Sequence, residues 1–453
     1  IGRFEIHRII QKKLINGIQL IIMELRTPLV VFLVLFIAIP MAGAAPNPSA
    51  VYCRELGYEY EIIKTKNGDY GVCNLPGKTC NAWEFYDGNC GNEFRASIGY
   101  EKLGSSCGGE FSEEKSREIL ESVFVESDET PVLGEDYDAS DYSYWDWRNP
   151  PNGTAYNQGN YTFFDSNGWL SSVKSQGCGD CWAFTVAGLI ESNYELTRNE
   201  TRLNPDLSEQ YLVSDCTEQF MINNYPSWYS TWGDMDCGGG NPTIGLDYIS
   251  NEGFPDEDCY PYVGINTECS SRCNDYSQRL WSVSGGSYYD VTKNELKEYL
   301  VDYGPISISV DSDWSSDGGI LRCTENGMDH AVLLVGYNDT GNDTTSYWII
   351  KNSWGTGWRE SGFGKVGFGE CNVTDSYSDF VSGVTYPNLK PKILVESPNG
   401  TQSSNTIKFN FTTINKVYGN SICDFTLDEV LENQTEVTNN TIYNMTRQLT
   451  EGE

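Results

Sequence analysis

The sequence predicts an α+β fold distributed over more than one unit, and three patterns point to it. Apolar residues recur at helical spacing after Cys181, at Phe184, Ala187, Ile190 and Tyr194, with Val186 and Leu189 beside them. Two short apolar runs downstream, entered at His330 and ending at Asn352, read as strands. Further on, Ile407-Lys408-Phe409-Asn410-Phe411 alternates apolar and polar residues, as a half-buried strand does. A length of 453 residues exceeds one ordinary core and suggests about two to four domains.

Composition narrows the class. The net charge of −34 argues against a nucleic-acid partner, because phosphate binding needs clustered Lys and Arg. With 29 Tyr and 12 Trp the chain reads as folded rather than as a disordered acidic segment. Fifteen cysteines imply disulfides and an oxidising location. An odd count leaves one thiol without an internal partner, as a thiol enzyme requires. One histidine outside the leader, with cysteines committed to disulfides, leaves few ligands for a metal. No metal or cofactor is expected.

Export has its own signal. Met23-Glu24-Leu25-Arg26 precedes an apolar run from Leu29 to Ile39 and then Ala42-Gly43-Ala44-Ala45. A basic start, a short apolar core and small residues describe a secretory signal peptide; the run is short for a membrane span of about 20 residues. Residues 1–22 precede the expected start and are set aside as upstream translation. Acceptor sequons stand at Asn152, Asn160, Asn199, Asn338, Asn342, Asn372, Asn399, Asn410, Asn433, Asn439 and Asn444. They suggest glycans on a secreted or extracellular-surface protein.

Four parts follow residues 1–45. Residues 46–95 hold Cys53, Cys73, Cys80 and Cys90 in a module too small for a large core, so two disulfides are expected as staples. Its spacings lack C-x-x-C pairs, which disfavours zinc. Residues 96–140 are polar and acidic, a linker or short pro-segment. Residues 141–386 form the large block that holds the chemistry. Residues 387–453 are strand-rich, with a turn at Pro398-Asn399-Gly400, and read as the opening of a β-sandwich that would continue further.

The strongest chemical signal is Gln176-Gly177-Cys178-Gly179-Asp180-Cys181-Trp182-Ala183-Phe184. Cys181 opens the expected helix, where orphan N–H groups and the helix dipole favour a thiolate. A thiolate is the nucleophile that attack on a peptide carbonyl requires. The Cys181 backbone N–H and the Gln176 side chain could then donate to the oxyanion. Acid–base work near neutral pH falls most naturally to His330, in Met328-Asp329-His330-Ala331. Downstream, Trp348-Ile349-Ile350-Lys351-Asn352-Ser353-Trp354-Gly355 offers Asn352 to orient the imidazole and Trp354 to shield the bond between them.

These segments resemble the papain and cathepsin family of cysteine peptidases, whose C-G-[SA]-C-[WY] signature is a known one. Five motifs agree in order from Asp146-Trp147-Arg148 to about Pro387, including Leu207-Ser208-Glu209-Gln210 and its continuation to Cys216. The resemblance implies a two-lobed papain-like fold, with Cys181 on a helical lobe and His330 and Asn352 on a β-rich, barrel-like lobe. The activity implied is peptide-bond hydrolysis through a thioester, with peptides or proteins as substrate. It also implies disulfides Cys178–Cys237, Cys216–Cys259 and Cys323–Cys371, a local pair Cys269–Cys273, and a free Cys181; Cys107 and Cys423 are left without obvious partners. Gly239 and Gly240 would expose backbone to an extended peptide. Pro242, Ser309 and Ala331 would form the pocket for the second residue before the cut, and Asp329 and Trp354 would border the cleft. Residues 46–95 resemble a small domain of unknown function that carries a hemolysin label, read here as a structural cap.

Two departures stand out. Asp180 occupies a position where the family has Ser or Ala, and a carboxylate turned toward Cys181 would raise the thiol pKa. The family's long helical propeptide is not recognisable, so the Cys-rich module or the acidic linker is expected to block the cleft until cut. A long aromatic loop with Tyr225, Trp228, Tyr229 and Trp232 would wall the cleft or pack on the surface. Exopeptidases and peptide ligases would use the same three residues. A different class, an inactive glycosylated adhesion protein on this scaffold, draws on the sequon density and the strand-rich tail.

Overall fold

The computed structural model describes residues 46–95 except Lys66, residues 142–385 except Gly153, Ala155, 158–167, Glu200, Arg202, 324–326 and Ser376, and the backbone of five strands between residues 392 and 448. The leader, the acidic linker, Asn160 and Cys107 lie outside the described residues. No described helix is long and apolar enough to cross a membrane.

The Cys-rich module begins with α1 (Pro48–Glu55), started by Pro48 and capped by the Asn47 side chain, which accepts from Ser49 N. A three-stranded antiparallel sheet follows: β1 (Glu59–Ile63), β2 (Tyr70–Leu75) and β3 (Lys78–Asn81), then α2 (Ala82–Tyr86). Disulfides Cys53–Cys73 and Cys80–Cys90 cross its small core of Ala50, Tyr52, Leu75 and Phe85.

The large block opens with β4 (Tyr144–Asp146) and then α3 (Cys181–Arg198). Residues of α3 from Cys181 to Leu196 are buried, Glu191 and Glu195 included, and Asn199 ends it in a left-handed conformation. This helix is sheathed on all sides, so its polar positions are neutralised inside: Lys174 bridges Glu191, Asp206 and Glu209. Helices α4 (Glu209–Leu212), α5 (Glu218–Asn224), α6 (Pro226–Trp232) and α7 (Pro242–Glu252) complete the helical lobe. The aromatic loop lies in α5 and α6 and packs on that lobe, with Tyr225 and Trp228 buried and Tyr225 OH donating to Asp247.

The β-rich lobe contains β5 (Ser282–Tyr289), α8 (Lys293–Tyr303), β6 (Ile306–Val310), β7 (Trp314–Asp317), β8 (Ile320–Cys323), β9 (His330–Asn338), β10 (Tyr347–Lys351), β11 (Phe363–Gly367) and β12 (Tyr377–Thr385). A Thr292–Glu295 capping box starts α8. The sheet runs β5-β12-β6-β9-β10-β11-β8-β7, with β4 on β9. Strand β9 is buried on both faces from His330 to Tyr337, which is why its sequence is continuously apolar rather than alternating. In the tail, β13 (Lys392–Ser397), β14 (Thr406–Ile414) and β17 (Ile442–Gln448) form one sheet, and β15 (Ser421–Leu427) and β16 (Val430–Val437) a hairpin.

Cys178 is bonded to Cys237 and Cys323 to Cys371. The expected Cys216–Cys259 and Cys269–Cys273 pairs do not form; Cys216 bonds Cys269 and Cys259 bonds Cys273. Backbone contacts choose this partition. A Ser214–Thr267 bridge and a bond from Cys269 N to Asp215 Oδ1 carry Cys269 to Cys216. Cys273 N donates to Cys259 O.

The module is seated on the junction of the two lobes. Asp69 donates its N–H to Val173 O (2.7 Å) and accepts from Thr356 N (2.9 Å), so one residue ties the helical-lobe segment to the β-lobe segment. The buried Tyr60 hydroxyl meets Ser175 Oγ at 3.1 Å, Trp83 Nε1 donates to Trp354 O at 2.9 Å, and Lys64 pairs with the buried Glu257.

Candidate active site

His330 opens β9 and Asn352 directly follows β10. The two strands are antiparallel neighbours, with Lys351 opposite Leu333, so their ends bring together residues 22 positions apart. His330 Nε2 lies 2.8 Å from Asn352 Oδ1. That oxygen also accepts from Ser353 N at 2.7 Å. It is therefore an acceptor toward the ring, and Nε2 carries the proton. Nδ1 is left buried without a hydrogen-bond partner, as the nitrogen available to a thiol. Cys181 Sγ is adjacent, since the next residue's amide, Ala331 N, reaches it at 3.4 Å.

Trp354 covers the imidazole, with ring centroids 4.8 Å apart at 32°, and Trp314 approaches edge-on at 5.7 Å. Burial pushes the His330 pKa down to about 4, against the bond to Asn352, which raises it. One expectation is overturned here: Cys181 is not a free thiol but is disulfide-bonded, with its partner outside the described side chains.

Cys181 begins α3, with Asp180 as the residue before it. Asp180 is fully buried and accepts from Tyr262 OH at 2.6 Å, and the same hydroxyl accepts from Gly177 N at 2.7 Å. Burial raises the Asp180 pKa to about 6, opposed by the Tyr262 bond. The carboxylate thus braces the loop that leads to the nucleophile. Gln176 is clamped in that loop at the lobe junction: its N–H donates to Ser353 O, its Nε2 to Cys178 O at 2.7 Å, and its Oε1 accepts from Ser353 Oγ at 2.6 Å.

The expected substrate-side residues separate into two groups. Gly239 has φ 149° and exchanges both backbone bonds with Asp236, so its own N–H and C=O are already used. At Gly240 a Cβ would stand 2.4 Å from the Trp182 ring, so the position requires glycine. Ser309 pairs directly with Ala331 across β6 and β9. Pro242 is buried at the start of α7. Thr243 Oγ1 and Ser307 Oγ both donate to the buried Asp379, at 2.8 and 2.9 Å, which draws the start of α7 to β6. Asp329 accepts from Ser312 N at 2.7 Å and is raised to about 6 by burial.

Sequence reasoning missed Trp314, Tyr262, Ser353 and Asp379. Only Ser353 lay inside a quoted motif, and nothing in the pattern tied it to Gln176. One group of side chains with metal-ligating atoms is present among the described residues, Cys178, Asp180 and Cys237 within 4.8 Å. Its two sulfurs are bonded to each other, so it offers no thiolate.

Comparison with known proteins bears on this geometry. The family model described as papain family cysteine protease matches residues 162–381, and a domain of unknown function, DUF333, matches residues 44–89. Cysteine proteinase 1 of Zea mays is 31% identical over 285 residues, 59% of this chain and 68% of that protein. The chain belongs to the papain family. Cathepsin 7 of Rattus norvegicus is 36% identical over 49% of this chain and 63% of its own length. Cathepsin L-like proteinase of Fasciola hepatica is 35% identical over 44% and 56%. The papain-family chain thus spans less than two thirds of these two relatives.

Proposed function

We propose that this chain is a secreted cysteine peptidase that hydrolyses peptide bonds in peptides or proteins through a thioester acyl-enzyme. The observation that carries the reading is the Asn352–His330 pair, roofed by Trp354 and held against Cys181 at the start of α3. Once an external thiol has reduced its disulfide by exchange and released Cys181 as a thiol, Cys181 gives its proton to His330 Nδ1. The thiolate then attacks the carbonyl carbon. The oxyanion meets the Cys181 N–H, in the first helical turn, and Gln176. His330 returns the proton to the leaving amine, and water, deprotonated by the same imidazole, releases the acid and the thiolate.

Secretion is supported by the disulfides of both the module and the main block. Asn152, Asn199 and Asn342 are exposed, which suits glycosylation, and glycans there would favour an extracellular or cell-surface setting. The test is alkylation by a papain-directed epoxide after reduction, with a panel of fluorogenic peptides. Labelling and cleavage that both vanish in Cys181→Ala support the peptidase. No labelling of the reduced chain overturns it in favour of an inactive surface protein.

A further inference from the structure

The Cys-rich module does not sit at a distance from the cleft. Besides Asp69 on Val173 and Lys64 on Glu257, its contacts fall on Ser175–Gly177 and on Trp354–Gly357, the segments that hold Gln176 and the tryptophan over His330. His330 must hand its proton to the leaving amine, so the residues after the cut leave the site on the side of Trp354. That is where the module stands. Its Trp83 ring lies 6.2 Å from the Trp354 ring at 31°, extending the aromatic surface of Trp314, Trp354 and Trp358.

On the same edge stands Arg54. Its guanidinium donates to Gly177 O, the residue after Gln176, and lies over the Tyr60 ring at 5.1 Å. Tyr60 is itself fixed by Ser175 and Asn47. Arg54 remains exposed and makes no ion pair among the described residues; its charge acts on the buried carboxylate of Asp180. Lys64, Arg148, Lys174, Arg279 and Arg322 are each paired, in a chain with 64 acidic and 30 basic side chains. One N–H is used on a carbonyl, and the exposed guanidinium keeps further donors for an anion at the lip of the site.

Resting on the peptidase reading above, we propose that Arg54 of the module binds a substrate carboxylate on the leaving-group side of the cut. The module is then a specificity element of the cleft. The carboxylate has two sources, a nearby chain terminus or an acidic side chain, and both are within the test.

The full chain, reduced beforehand, is given internally quenched peptides with one acyl half and leaving halves of one to four residues. Each length is made as the free acid, as the amide, and as an amide containing Glu. At one length or more, a carboxylate-bearing peptide is expected to be cleaved about tenfold faster than its neutral counterpart, the range for a charge-assisted bond. Preference for the free acid alone assigns the chain terminus; preference for the Glu amide assigns the side chain. Arg54→Gln should bring the ratio to near one, and Arg54→Lys should keep part of it. Both rates come from one preparation, so loss of folded protein does not move the ratio. Equal rates at every length, or a ratio that survives Arg54→Gln, overturns the proposal. An acyl-aminocoumarin, which has no leaving-side residue, reads the peptidase reaction separately. Its cleavage with equal acid and amide rates removes the role of Arg54 alone, whereas no cleavage of any substrate removes both readings.

Discussion

His330 faces two opposite demands. In a buried site beside a bonded sulfur, burial outweighs the Asn352 bond that favours the imidazolium and holds its pKa down to about 4. Opening the Cys181 disulfide places a potential thiolate beside Nδ1, an opposite charge that favours the protonated ring. The His330 titration, followed by NMR and assigned with His330→Ala, is therefore expected near the low value before reduction and clearly higher after it. A midpoint indifferent to reduction would exclude the ion pair. Asn352 holds the ring rather than reacting, so Asn352→Ala should lower kcat on the order of 10²-fold through misorientation, with KM little changed. Asp180 supports the preceding loop through Tyr262. Replacing it by Ala strands a buried hydroxyl and should cost about 1–3 kcal/mol in denaturant unfolding, whereas Asp180→Asn keeps an acceptor and should cost less. This is a different role from the thiol-tuning one suggested by sequence alone, because the carboxylate engages Tyr262.

Among the elements, helix α3 and strands β9 and β10 were legible because each carries its own periodicity, and Cys181, His330 and Asn352 sit at their ends. Local pattern reaches no further than the element. The partition of Cys216, Cys259, Cys269 and Cys273 depends on loop bonds such as Ser214–Thr267, which leave no mark in spacing. The use of Gly239 by Asp236, and the closure of the Gln176 loop by Ser353, are likewise long-range or conformational. The seat of the module was the least legible feature, since Trp83 and Trp354 are 271 residues apart. That contact makes its own prediction. Trp83→Ala removes both a tilted ring contact with Trp354 and a hydrogen bond, and a half-buried site should lose about 1–3 kcal/mol. Urea unfolding should show a lowered midpoint. A midpoint equal to wild type would mean that Trp83 does not hold the module to the lobe junction.

At the scale of the whole molecule, the excess of acid sets the response to pH. Burial raises Asp69, Asp180, Asp234, Asp329 and Asp379 to about 6 and Glu257 to about 7. Unfolded, such carboxyls titrate near about 4. Between about pH 7 and pH 4 the folded chain therefore binds more protons than the unfolded one, and stability rises as pH falls through that window. His330 acts in the opposite sense, since its pKa is depressed and the folded state resists protonation between about 6.5 and 4. Burial raises Glu209 as well, while Glu295 and Asp339, held below their ordinary values, side with His330 only near pH 4, so the raised acids outnumber the opposing groups. Protonation also relieves the self-repulsion of a chain at −34. Calorimetry with the disulfides intact should accordingly give a higher Tm at pH 5 than at pH 8. A Tm that is flat or falls from pH 8 to pH 5 would show that these buried acids are not held in the protonated form by the fold.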